Sequence, residues 1–128
     1  MRTYLLTMLI TLFPLAVPAQ EPNAYLGTWT GSMATSGAKV LPLELSITET
    51  GGTWRFLRGG TGTRENPCVG KEFPVTVVSR SQAELQFEVK GSSVIQGCVD
   101  EPGVLRPVDA QNLEGTLKDG RAIKLTRK

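Results

Sequence analysis

The sequence predicts an all-β fold, an antiparallel up-and-down barrel of roughly seven or eight strands with one disulfide, and a β-sandwich as the alternative. Three observations carry this reading. Beyond an apolar leader, Gly, Pro, Asn or Asp punctuates the chain roughly every 8 to 12 residues. Between these marks apolar residues alternate with polar ones at a period of two, and no stretch repeats apolar residues at helical spacing over three turns. Hairpin-linked strands close most simply into a barrel, although alternation alone does not report closure, which is why the sandwich stays open.

The leader, residues 1–19, has a basic Arg2, an apolar run from Tyr4 to Val17, and Val17 and Ala19 at the −3 and −1 positions of a cleavage site. That is the layout of a secretory signal peptide. A bilayer span needs about 20 unbroken apolar residues, and Pro14 and Pro18 interrupt this shorter run. The expected organisation is therefore a signal peptide over 1–19, a single β-barrel domain over 20–128, a periplasmic or secreted location and no stable membrane anchor. The leader holds no cysteine to carry a lipid.

The first strand is expected from Tyr25 to Met33. In the second, Leu41, Leu43, Leu45 and Ile47 share one face and Pro42, Glu44 and Ser46 the other. Gly51 and Gly52 make a tight turn into a third strand, where Trp54 and Phe56 point one way and Arg55 and Leu57 the other. Arg58 to Lys71 is too polar and glycine-rich for a strand and forms the longest loop. Phe73, Val75 and Val77 alternate in the next strand, and Ala83, Leu85, Phe87 and Val89 in its hairpin partner. A sixth strand is expected from Ser92 to Cys98, with a turn at Asp100–Gly103, a weaker segment over 104–109 and a short helical turn near Val108 to Asn112. The last hairpin turns at Asp119–Gly120 and offers Leu113, Leu117, Ile123 and Leu125 for one face.

Trp29 sits between Gly27 and Gly31. A barrel of about eight strands has an interior that side chains or one small ligand can fill. A large first-strand residue can therefore plug one end, its indole N–H finding a backbone partner. The flanking glycines permit a bend or a close backbone approach, so Gly27, Trp29 and Gly31 read as the structural closure of the barrel.

Two cysteines, Cys68 and Cys98, stand in a chain expected to leave the reducing cytosol, and a structural disulfide is the default. The sequence contains no histidine. This excludes Ser-His-Asp and Cys-His catalysis and every His-based metal site, so neither a metal nor a cofactor is expected and the chain reads as non-enzymatic. Glu65, Glu72, Asp100 and Glu101 lie near the expected disulfide, but no spacing specifies an acid/base pair, and they read as solvated loop charges. The stretch "GGTGT" has no helix after it and lacks a phosphate-loop spacing. A formal net charge of +2, or +1 without Arg2, argues against a nucleic-acid partner. The basic C-terminus, Lys118, Arg121, Lys124, Arg127 and Lys128 against Asp119, reads as the solvated face of an edge strand.

Long loops on a rigid β scaffold are where binding usually resides. Arg64, Glu65, Asn66 and Lys71, beside the anchoring Cys68, are thus the candidate partner-binding residues.

At Gly27, Thr28 and Trp29 the chain resembles the calycin group, the lipocalins, avidins and bacterial relatives with Gly-x-Trp on the first strand. The resemblance implies a basic side chain of the last strand lying over the tryptophan, a place for Arg121, Lys124 or Arg127. Leu26 to Thr30 and Asp119 to Lys128 are also similar to periplasmic inhibitors of serralysin-type metalloproteases. In those inhibitors the mature N-terminal arm enters the protease cleft, which makes residues 20–25 the corresponding arm here. They carry an early disulfide, whereas these cysteines lie late.

Two functions follow as expectations. The first is an exported protein-binding module or hydrolase inhibitor with a protein partner. The second is a lipocalin-like carrier of a small apolar ligand. Leu, Ile, Val and Phe supply enough inward positions to fill a small barrel, which favours the first. An internal cavity of a few hundred cubic ångströms would favour the second.

Overall fold

A computed structural model describes residues 22–35, 39–57 and 67–128. The expected leader and Arg64, Glu65 and Asn66 lie outside them. Eight antiparallel strands close in sequence order into an up-and-down barrel. They are β1 (Gly27–Ala34), β2 (Val40–Ile47), β3 (Gly52–Phe56), β4 (Glu72–Arg80), β5 (Leu85–Lys90), β6 (Asp100–Asp109), β7 (Asn112–Leu117) and β8 (Ala122–Arg127). No helix among the described residues is long and apolar enough to cross a membrane.

Period-two alternation sorts each strand into an inner apolar and an outer polar row. In β2, Leu41, Leu43, Leu45 and Ile47 are buried while the intervening residues are half-exposed. Leu113 and Leu117 of β7 and Ile123 and Leu125 of β8 are buried as their spacing predicts. Trp54 stacks on Phe87 at 5.9 Å and meets Phe56 edge-on at 5.5 Å. Among the described residues no polar or charged residue is buried, so the barrel is held mainly by apolar burial and its backbone ladders.

Two expectations are corrected in the sixth strand. Residues 92–98 are not strand: a 3-10 turn over Gly91–Ser93 leads into further turns, with the N–H groups of Val94 and Ile95 both donating to Gly91 O. Val94 and Ile95 are adjacent rather than alternating, so the segment lacks the period-two pattern of a strand; in the turns Ile95 and Cys98 pack on the core while Val94 stays exposed. The turn expected at Asp100–Gly103 instead opens β6, which pairs with β5 on one side and β7 on the other. Gly103 is there for space rather than for turning, because a Cβ would lie 2.6 Å from the Phe87 ring.

The helical turn expected near Val108 to Asn112 is also absent. The Asp109 carboxylate accepts from the Gln111 N–H at 2.7 Å and from the Asn112 amide at 3.0 Å, so the chain reverses in two residues. Register shifts next to Val78 in β4 and Val108 in β6 leave these two valines exposed. Nor does the basic C-terminus form an edge strand, since β8 pairs with both β7 and β1.

Cys68 and Cys98 form the disulfide, joining the β3–β4 and β5–β6 connections. A bridge closing 30 residues contributes about 3 to 4 kcal/mol in the loop-entropy model. The double variant Cys68→Ser/Cys98→Ser should lower the urea-unfolding free energy by that amount while its far-ultraviolet spectrum stays β. Loss of the β signature would mean that the ladders need the bridge to form.

Acid should also weaken the fold. The Ser92 hydroxyl and N–H hold the Asp100 carboxyl below its ordinary range, the Gln111 N–H and Asn112 amide hold Asp109 low, and the Arg121 N–H and guanidinium hold Asp119 low. Groups depressed in the fold stabilise it above their unfolded pKa of about 3.9, and that contribution is lost as the pH falls through the folded values. The urea midpoint should therefore drop between about pH 5 and about pH 2, and Asp109→Asn should flatten the slope. An unchanged slope in the variant would remove Asp109 from the account.

Candidate functional site

The two ends of the barrel differ. At one end the 3-10 turn Pro22–Tyr25 crosses the opening. The Trp29 indole N–H donates to Tyr25 O at 2.9 Å, and the Tyr25 hydroxyl donates to Ser81 O at 2.9 Å in the β4–β5 turn. Burial and the nearby Glu84 push the Tyr25 phenol up.

Arg127 seals this end from β8. Its guanidinium carbon lies 4.2 Å from the Trp29 ring centroid, while Nη1 donates to Leu26 O at 2.6 Å and Nη2 to Ala24 O at 3.0 Å. Gly27 has φ +123°, and a Cβ there would lie 2.8 Å from Arg127 Nη1. At Gly31 a Cβ would fall inside the Lys124 carbonyl, so β1 approaches β8 more closely than any side chain allows. Gly27 and Trp29, expected with Gly31 to close the barrel, stand at this end, and Arg127 lies over the tryptophan.

The other end holds a cavity. The interior is not filled solidly, as the inventory of apolar residues had suggested. The cavity volume is about 340 Å³, and described residues that follow β1, β3, β5 and β7 line it. Met33, Leu41, Trp54, Phe56, Phe73 and Val89 form its apolar wall, and the Cys68–Cys98 bridge lies in its rim. One arc of the rim is polar: Thr35, Lys39, Glu101 and Arg121. There Arg121 Nη2 reaches both Glu101 oxygens, at 2.7 and 2.6 Å, and its Nε donates to Asp119 at 2.6 Å.

Of the residues expected to bind a partner, Lys71 is exposed just before β4, and Arg64, Glu65 and Asn66 fall outside the described residues. The carboxylates near the disulfide do not converge. Asp100 accepts from Ser92, Glu101 is held by Arg121, Glu72 is exposed on β4, and Glu65 is not described. Among the described residues no three His, Cys, Asp or Glu side chains gather as a metal site.

Lys39 and the arrangement of Glu101 and Arg121 were not singled out as a site by sequence reasoning. The available signal was indirect, namely that all of them flank turns at the same end of the barrel.

No family model and no curated protein matches the chain. Two solved structures share its fold. One is a redesigned β-barrel, b11L5F_LGL, at a TM-score of 0.54 and 15% identity over 85% of this chain and 96% of that one. The other is a redesigned β-barrel, mFAP1, bound to DFHBI, at a TM-score of 0.52 and 14% identity over 85% of this chain and 100% of that one. At such identity the likeness shows the barrel fold alone. The disulfide points to an oxidising compartment.

Proposed function

We propose that this chain is an exported, non-enzymatic binding protein that holds one small apolar ligand in the cavity opposite its sealed end. The observation that carries this reading is the cavity of about 340 Å³, apolar-walled and opposite the sealed end. Small-molecule sites are concave, mostly apolar spaces of about 300 to 1,000 Å³ with few polar groups. Binding of DFHBI by a barrel of the same fold supports it, as does the resemblance to calycins, whose cation over the first-strand tryptophan has its counterpart in Arg127 above Trp29. Export to the periplasm or beyond is supported by the leader and the bridge.

Titration with the neutral apolar fluorophore N-phenyl-1-naphthylamine tests the reading. One equivalent should bind with a blue-shifted emission. Val89→Trp, which projects an indole into the cavity, should weaken binding at least about tenfold. Unchanged binding in that variant would place the fluorophore elsewhere.

A protein partner at the same end is the second reading. It is supported by Val94 and Val99 near the bridge, 45% and 65% exposed, and by the exposed Lys71. Tyr25, by contrast, is wholly buried in the sealed end, so the expected inhibitory arm would have to act without it. Capture of a partner by the wild type but not by Lys71→Glu/Val99→Ser would support this second reading.

A further inference from the structure

We infer that the ligand of the mouth cavity carries a carboxylate, or an equivalent anionic oxygen, on its apolar body, and that Lys39 and Arg121 receive it. This rests on the cavity being a ligand site and names what that site selects.

The inference comes from accounting for hydrogen-bonding groups along the polar arc of the rim. Both Glu101 oxygens already accept from Arg121 Nη2, Arg121 Nε donates to Asp119, and the Thr35 hydroxyl donates to Lys39 O at 3.1 Å. Among the described residues, two side-chain donors that line the cavity have no hydrogen-bond partner: the Lys39 ammonium and Arg121 Nη1. Both are cationic donors, whereas the rim's one carboxylate is already charge-paired with Arg121. A ligand that completes this arc must bring an acceptor, and a charged acceptor forms the stronger bond.

The arrangement favours the guanidinium as a recognition group for a second reason. Its Nε and Nη2 are fixed by two different carboxylates, so little side-chain freedom remains to be lost on binding. The side chains of Arg121 and Glu101 are 30% and 28% exposed, which leaves their fields less screened than those of fully solvated charges. Glu101 and Asp119 together carry one charge more than Arg121 balances, and Lys39 brings the four groups to neutrality, so a ligand's anion is drawn by local pairing with the Lys39 ammonium and Arg121 Nη1. The apolar wall below takes the rest of the ligand. Orientation follows: anionic head at the rim, apolar body toward Trp54.

Competition against bound N-phenyl-1-naphthylamine by decanoate and by decan-1-ol separates head from body. Lys39 is exposed and forms no ion pair among the described residues, so Lys39→Glu should fold as the wild type does. It should weaken decanoate about tenfold and decan-1-ol by less than about twofold. Lys39→Arg should restore decanoate, and added salt should weaken decanoate alone. Arg121→Gln should likewise act on decanoate more than on the alcohol.

Equal shifts for both competitors in Lys39→Glu, or none for either, would overturn the carboxylate assignment while leaving the cavity a ligand site. Failure of the fluorophore itself to bind would remove the ligand site, and this inference with it.

Discussion

Trp29→Ala should lower the unfolding free energy by about 3 to 5 kcal/mol, the range for truncating a fully buried large aromatic. Three losses coincide there. The indole is wholly buried, its N–H satisfies Tyr25 O, and its face lies under the Arg127 guanidinium. Without the ring, Arg127 keeps its bonds to Ala24 O and Leu26 O but has a void beneath it. Trp29→Phe separates the contributions, because it retains most of the apolar bulk and loses the donor, leaving a buried carbonyl unpaired at a cost of about 1 to 3 kcal/mol. Urea unfolding followed by far-ultraviolet dichroism provides the measurement. A loss below about 1 kcal/mol for the alanine variant would show that the seal contributes little.

The second large effect is expected from adding a single methyl group. Gly31→Ala places a Cβ inside the Lys124 carbonyl, and a backbone atom cannot rotate away as a side chain can. Either β1 retreats from β8, opening the ladder that closes the barrel, or the variant fails to fold. The expected loss is about 3 kcal/mol or more, at the upper end for overpacking. Gly120→Ala is the matched control: its φ is +90° but a Cβ there meets nothing within 4 Å. It should lose only the left-handed backbone cost of about 1 to 2 kcal/mol. Equal losses in the two variants would mean that backbone conformation, not the approach of β1 to β8, dominates at Gly31.

These two positions also mark what one sequence can and cannot disclose. Parity is readable: Ile123, Leu125 and Arg127 fall on one face of β8, so of the three cations considered for Trp29 only Arg127 is both inward and at the correct end. Lys124 faces outward, and Arg121 lies at the opposite end, beside the cavity. The strict alternation of β2 and the final hairpin needed no further information, because a half-buried strand has one solution for such a pattern.

The sixth strand was misplaced because Pro102–Gly103 carries turn chemistry. Its real determinants are distant partners, Phe87 and Leu117, which flank Gly103 in the register. The cavity was hidden for a similar reason. Met33, Leu41 and Val89 alternate just as tightly packed residues do, and whether facing side chains meet depends on the width of the closed ring. Nothing local encodes that width. The rim is composed of residues that any turn could carry, and only closure assembles them.

Because β8 returns to β1, every described strand has a neighbour on each flank. A second copy of the molecule therefore finds no bare selvedge on which to add a ribbon, and fibril growth or strand exchange would first require the ring to be breached.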